Sequence, residues 1–169
     1  MPALKGRDNP DSILHAIDMP QSLSRMVIHL VFSVKHREPH LRNPEVRKKL
    51  HAYMAGTLQS LECEPILLNG VEDHIHVLCN LSRNLAIAKV VEELKKSSSK
   101  WIKTQGSGYK DFHWQAGYGV FSVSQSNVEA VREYVASQEE HHLKVSFQDE
   151  FRSLCRKHGV SLDERFAWE

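Results

Sequence analysis

The segment Asp73-His74-Ile75-His76-Val77-Leu78 restricts the fold of this chain more than any other. Imidazoles alternate with apolar residues at period two, so the segment reads as a strand with His74 and His76 on one face. Ile75, Val77 and Cys79 then point the other way, into a core. The two imidazoles stand roughly 6 to 7 Å apart along the strand. Any fold built on this strand needs a sheet with one apolar face and one face that carries chemistry.

The flanking segments supply that sheet. Arg25 to Lys35 (RMVIHLVFSVK) is rich in β-branched and apolar residues and reads as a buried strand containing His29. Asn43 before Pro44 and Glu45 is an N-cap with proline at the first helical position. Val46, Leu50, Tyr53, Met54, Leu58 and Leu61 keep helical spacing, which assigns Tyr53 to the core and ends the helix near Leu61. Glu64 to Val71 gives a second strand, broken at Asn69-Gly70, and His74 to Leu81 a third, paired with it as an antiparallel hairpin. Leu85 to about Lys103 forms a second helix with Ile87, Val90, Val91, Leu94, Ser98 and Trp101 inward. Two glycines between Thr104 and Tyr109 mark a hinge loop before a fourth strand, Gly117 to Ser124. Ser126 or Asn127 then caps one helix reaching about Leu143, and a last helix covers Phe147 to Lys157. Strand, helix, strand, strand, helix, strand is the order of an α+β split βαβ (ferredoxin-like) domain: an antiparallel sheet with helices on one face, here with an additional carboxyl-terminal helix bearing Tyr134. Residues 1–21, with Pro10 and Pro20 and no period, are expected to be a flexible extension, leaving 22–169 as the single domain.

At 169 residues the chain can bury about two thirds of the surface its unfolded form exposes and needs no disulfide framework. Cys63, Cys79 and Cys155 are odd in number and lack CxxC spacing, so they read as buried thiols. No apolar run is long enough to span a membrane and the first twenty residues lack a secretory h-region, so a cytoplasmic location is expected. The net charge of +1 conceals two basic stretches. Six Lys/Arg lie between Lys35 and His51, and six lysines between Lys89 and Lys110, while acids dominate from Glu129 to Glu150. Such stretches suit phosphate contacts, or equally solvated helix faces.

Two histidines on one strand face can close on a divalent ion, or can serve as hydrogen-bonded or solvent-facing groups. The helix from Val128 to His142 bears on that choice. Tyr134 and Gln138 are one turn apart and project from the same shoulder, beside a stripe of Val128, Val131 and Val135. If this shoulder packs over the histidine face, one helix delivers a phenol and an amide to the same ion. Otherwise Tyr134 is a rim residue and Gln138 a solvated one.

The runs HLVFSVKHREPHL, DHIHVL, ELKKSSSKWIK, FHWQAGYGVFSVS and VREYVASQEEHHLKVSFQDEF occur in this order. Together they resemble the single-tyrosine HUH transposases of small insertion sequences, including the IS200-like and REP-associated tyrosine transposases. The resemblance covers about Ser22 to Glu169. It implies that His74 and His76 are metal ligands, Gln138 the third ligand and Tyr134 the nucleophile, with Mg2+ or Mn2+ as the cofactor and no nucleotide cofactor. A phenol with pKa about 10 needs such a cation beside it to attack phosphate at neutral pH. The resemblance further implies single-stranded DNA with hairpins as the partner, a 5′-phosphotyrosine intermediate, and a homodimer in which the tyrosine helix acts in trans.

Tyr109 and Tyr118 are rival tyrosines, but neither they nor Tyr53 has a glutamine one turn later. His141 and His142 follow Gln138 closely enough to assist or replace it. His29 and His113 read as structural hydrogen-bonding residues, and Asp73 as a turn cap or as the group that orients one imidazole. Lys35, Arg37, Arg42, Lys95, Lys96, Ser98 and Lys100, with Ser97 and Ser99, are the expected DNA contacts. A replication-initiator-like nickase and a domesticated binding module without catalysis are the alternative functions.

Overall fold

The computed structural model of the chain describes residues 22–165, 167 and 168. The expected amino-terminal extension, 1–21, lies outside the described residues. Four strands form one antiparallel sheet in the order β2-β3-β1-β4: β1 is Val27–Ser33, β2 Glu64–Gly70, β3 His74–Asn80 and β4 Gly119–Val123. Helix α1 (Pro44–Ser60) connects β1 to β2 and α2 (Ile87–Ile102) connects β3 to β4, which is the split βαβ arrangement. After β4 come α3 (Val128–Ala136), α4 (Gln138–His142) and α5 (Phe147–Lys157).

Alternation along the two central strands makes two interiors. Ile28, Leu30 and Phe32 of β1 and Ile75, Val77 and Cys79 of β3 pack with Leu50, Met54 and Leu58 of α1 and Val90, Val91 and Leu94 of α2. The other face carries His29, Val31 and Ser33 of β1 with His74, His76 and Leu78 of β3, all buried as well. That burial comes from the additional helices, since α3 lies against β2 and β3, and Phe147 of α5 packs its ring 4.5 Å from that of His74. Both faces of the central strands are therefore dry. A histidine in that setting must find a partner or hold an ion.

Local chemistry explains the boundaries. Asn43 Oδ1 accepts from the backbone N–H of Glu45 and Val46 at 3.0 and 3.3 Å, capping α1 as the Asn-Pro signal implies. Ser146 caps α5 by accepting from Asp149 N–H at 3.2 Å. Gly70 sits where the β2–β3 hairpin closes most tightly: a Cβ there would lie 2.3 Å from the His74 carbonyl oxygen. This close approach requires glycine and holds His74 at the start of β3.

Three expectations need correction. The helix expected from 128 to about 143 is broken at Ser137, whose φ and ψ of −90° and 14° leave the helical well and whose hydroxyl donates to the Tyr134 carbonyl at 3.1 Å. Asn127 does not cap α3 through its side chain. Tyr53 is not core: it remains 38% exposed and stacks on Trp101 at the rim, with ring centroids 5.3 Å apart. All three cysteines are free and buried, as expected.

Candidate active site

His74 and His76 point from β3 into the interior closed by α3, α4 and α5, and both are fully buried. His74 Nδ1 lies 2.7 Å from Asp73 Oδ1. A carboxylate can only accept, so His74 donates from Nδ1, and its Nε2 is left inward without a hydrogen-bond partner. His76 Nδ1 lies 2.9 Å from His29 Nε2, and the two rings stack with centroids 5.1 Å apart. Burial pushes His76 down to about 4 and His29 to about 3, so both are neutral near pH 7. Each of the two strand histidines is thus oriented through one nitrogen, and each turns its other nitrogen inward.

The helix shoulder arrives where the spacing of Tyr134 and Gln138 places it. Despite the break at Ser137, Gln138 is fully buried and donates from Nε2 to Glu150 Oε1 at 3.0 Å. The Tyr134 hydroxyl donates to the same oxygen. His142 Nε2 donates to Glu150 Oε2 at 2.9 Å while its Nδ1 donates to the Val145 carbonyl at 2.8 Å. Around this carboxylate, His74 Nε2, His76 Nε2, His141 Nε2 and Gln138 Oε1 are buried with no hydrogen-bond partner. Unpaired polar atoms of this kind cost roughly 1–3 kcal/mol each in a dry interior. Their gathering at one point is what a cation-binding pocket leaves when its side chains are viewed alone.

The donor set fits a divalent ion. His74, His76, His142 and Glu150 each offer a ligand atom, and these atoms lie within 4.8 Å of one another. Ligands about 2.1 Å from a shared ion are themselves no more than about 4.2 Å apart, so a small contraction closes the site. Burial would raise the Glu150 carboxyl, but the hydrogen bonds from His142 and Tyr134 and the nearness of His76 outweigh it and hold the group well below the usual carboxylate range. For Tyr134, burial and then the Glu150 charge push the phenol well above its ordinary value.

A scan against family models matches residues 22–138 to "Transposase IS200 like". The chain belongs to the IS200-like transposase family. Two solved structures share the fold. One is a Deinococcus radiodurans R1 protein described as a transposase, 20% identical over 70% of this chain and 95% of its own, with a TM-score of 0.56. The other is a REP-associated tyrosine transposase bound to a REP hairpin, 12% identical over 74% of this chain and 72% of its own, with a TM-score of 0.51. No curated protein matches the chain.

The IS200-like match ends at Gln138, so His142 and Glu150 lie beyond it. Glu150 was not among the site residues expected from sequence. Its signal was present: Phe147, Glu150, Phe151 and Leu154 follow helical spacing, and a glutamate in an otherwise apolar stripe must meet a polar group.

The expected DNA contacts divide between the two faces. Ser98 is not available, because it is fully buried and accepts from Trp114 Nε1 at 2.8 Å. Lys95 is not a free cation either. Its ammonium donates to the carbonyls of Gln115, Ala116 and Gly117 at 2.7, 3.1 and 2.7 Å, fastening the entry to β4. Lys96 and Lys100 are exposed, but α2 covers the face opposite the imidazoles. Lys35 is exposed just after β1, and Arg42 faces Glu72 across 3.7 Å in solvent. Arg37 lies at the site. With Arg47, Asp73, Glu139 and His142 it lines a cleft of about 520 Å³, while Lys157 and His158 line another of about 440 Å³ beside Tyr134. Sequence reasoning missed Arg47 and Lys157 as site-lining cations, since nothing local distinguishes them from other helix-surface charges. Among the described residues no helix is long and apolar enough to cross a membrane.

Proposed function

We propose that this chain is a metal-dependent single-stranded DNA transposase that cleaves and rejoins strands through Tyr134, at element ends marked by hairpins. The observation that carries the reading is the convergence of the Tyr134 hydroxyl and Gln138 with the inward nitrogens of His74 and His76 in one buried pocket. A divalent ion, Mg2+ or Mn2+, held by His74, His76 and Gln138 would supply Lewis-acid polarisation of the scissile phosphate. Asp73 and His29 fix the two imidazoles so that lone pairs face the pocket.

In cleavage the Tyr134 oxygen bonds to phosphorus as the phosphorus–O3′ bond breaks. The Tyr134 hydroxyl, oriented by Glu150 Oε1, gives up its proton to water, and the departing 3′-oxygen takes a proton from water to become a free hydroxyl. The 5′-phosphotyrosine conserves the phosphodiester energy, so attack by a 3′-hydroxyl rejoins strands without a nucleotide cofactor. Arg37 and Lys157, which line the flanking clefts, are the phosphate contacts this reading favours over Lys96 and Lys100, whereas Arg47 is taken up by Glu139 and the Leu41 carbonyl. The hairpin carried by the REP-associated structure supports a hairpin-bearing strand as substrate. For a homodimer the same residues would serve in cis or in trans. The packing of α3 on β2 and β3 of its own sheet supports the cis arrangement.

Covalent trapping tests the reading. Labelled single strands from both flanks of the gene are incubated with protein and Mn2+, Mg2+ or chelator, then resolved on a denaturing gel beside Tyr134→Phe and His76→Ala. A labelled protein band that requires metal and is lost in both variants is expected. Strand binding in a gel shift without any adduct in the wild type would instead favour a binding module. An adduct surviving in Tyr134→Phe would assign the nucleophile elsewhere.

A further inference from the structure

Glu150 has no place in a neutral His-His-Gln ligand set, yet it occupies the centre of the pocket at 3% exposure. Its Oε2 lies 3.6 Å from His74 Nε2 and 3.4 Å from His76 Nε2. Neither nitrogen has a hydrogen-bond partner, and the Nδ1 atoms of the two rings are engaged by Asp73 and His29. A carboxylate oxygen and two unpartnered imidazole nitrogens therefore converge in a dry interior, an arrangement that a cation between them turns into coordination. The opposite oxygen, Oε1, is saturated by donors from Tyr134 and Gln138, which leaves Oε2 as the oxygen aimed at the histidines.

We propose that Glu150 is an anionic ligand of the metal centre, joining His74 and His76, with His142 as the residue that positions it. This inference rests on the metal-dependent reading above and deepens it. His142 donates from both ring nitrogens, to Val145 and to Glu150, so in this arrangement it is a clamp on the carboxylate rather than a ligand. A carboxylate adds the hard oxygen donor that suits Mg2+ and Mn2+, which two imidazoles alone do not provide. It also couples the ion to the nucleophile, because one carboxylate faces the histidines with Oε2 and holds the Tyr134 hydroxyl with Oε1. The resulting centre draws on β3 and α5, elements separated along the chain by α2, β4, α3 and α4.

The test is direct binding of Mn2+ and Co2+ to the full chain, with no DNA present. Calorimetry with Mn2+ compares wild type, Glu150→Gln, Gln138→Ala and His76→Ala, each checked by circular dichroism. Loss of an outer-shell partner costs about 10–100-fold in metal affinity, so loss of a ligand in Glu150→Gln is expected to reach about 100-fold and to exceed the loss in Gln138→Ala. Wild-type binding that Glu150→Gln leaves unweakened overturns this inference alone. Absence of any Mn2+ or Co2+ binding by the wild type overturns the metal-dependent reading with it. Glu150→Asp, which keeps the charge one methylene short, is the second variant should Glu150→Gln not fold. A shifted Co2+ d–d spectrum and weaker binding are expected for it, and an unchanged spectrum with unchanged affinity overturns the proposal.

Discussion

His29 on β1 and His76 on β3 touch nitrogen to nitrogen, Nε2 to Nδ1 at 2.9 Å, inside a sheet face sealed from solvent. Two neutral imidazoles in this geometry share one hydrogen, and the inward lone pair of His76 exists only when His76 is the donor. His29 thus sets the tautomer of its neighbour. His29→Leu removes the acceptor and is expected to weaken Mn2+ binding by about tenfold, the scale of an outer-shell partner. His29→Gln, whose amide oxygen accepts, should restore part of the affinity. Calorimetry on both variants checks this, and equal affinity in His29→Leu and wild type would remove the orienting role.

Gly70 is bound to the site by distance rather than by chemistry. A methyl group there would meet the His74 carbonyl and the Ile75 Cα, both backbone atoms that cannot swing aside. Gly70→Ala is expected to cost about 1–3 kcal/mol, the range of overpacking a tight interior, and to displace His74 with it. Urea denaturation measures the first effect and Mn2+ affinity the second.

Ser98 reads in sequence as a DNA contact, but its hydroxyl serves Trp114. Ser98→Ala strands a buried indole N–H and is expected to destabilise the fold by about 1–2 kcal/mol. Affinity for single-stranded DNA, measured by fluorescence anisotropy at fixed salt, should not change. Arg37→Ala, at the mouth of the cleft beside His142, is expected to weaken the same binding and lower its salt dependence.

Burial holds His51 neutral and pushes it down to about 4, with the nearby Arg47 charge acting in the same direction. The unfolded chain takes up this proton from about pH 6.5, the folded chain only near 4. Between those values the unfolded state binds more protons, so stability climbs with pH and is lost as pH falls. His51→Gln removes this contribution. Its stability relative to wild type should rise by about 2 kcal/mol between pH 7 and pH 4.5, read from urea melts at both values.

The sheet was legible because alternation is local. His74 and His76 against Ile75 and Val77 announce two faces, and Asn43-Pro44 announces a helix start, each within a few residues. The adjacency of Tyr134 and Gln138 was legible for the same reason. Glu150 escaped because its partners are remote in sequence. Its carboxylate is explained only once α5 is folded back over β3, 76 positions from His74 by numbering. Lys95 and Ser98 failed as DNA contacts through the same blindness. A basic, serine-rich run looks like a phosphate-binding surface until the chain 20 residues downstream supplies the carbonyls and the indole that consume it.

The carboxyl-terminal residues give the fold a practical property. The Ala167 carbonyl accepts from Gln115 at 2.9 Å, the Trp168 indole donates to Glu164, and Arg152 of α5 both pairs with Glu164 and lies over the Trp168 ring. Gln115 is in turn bonded to Ser33, two residues along β1 from Val31, the cross-strand partner of His76. The tail is therefore a splice between the helix that bears Glu150 and the strand beside the histidines. A purification handle or fluorophore is better placed away from this end, where it would bear on contacts that tie α5 to β1.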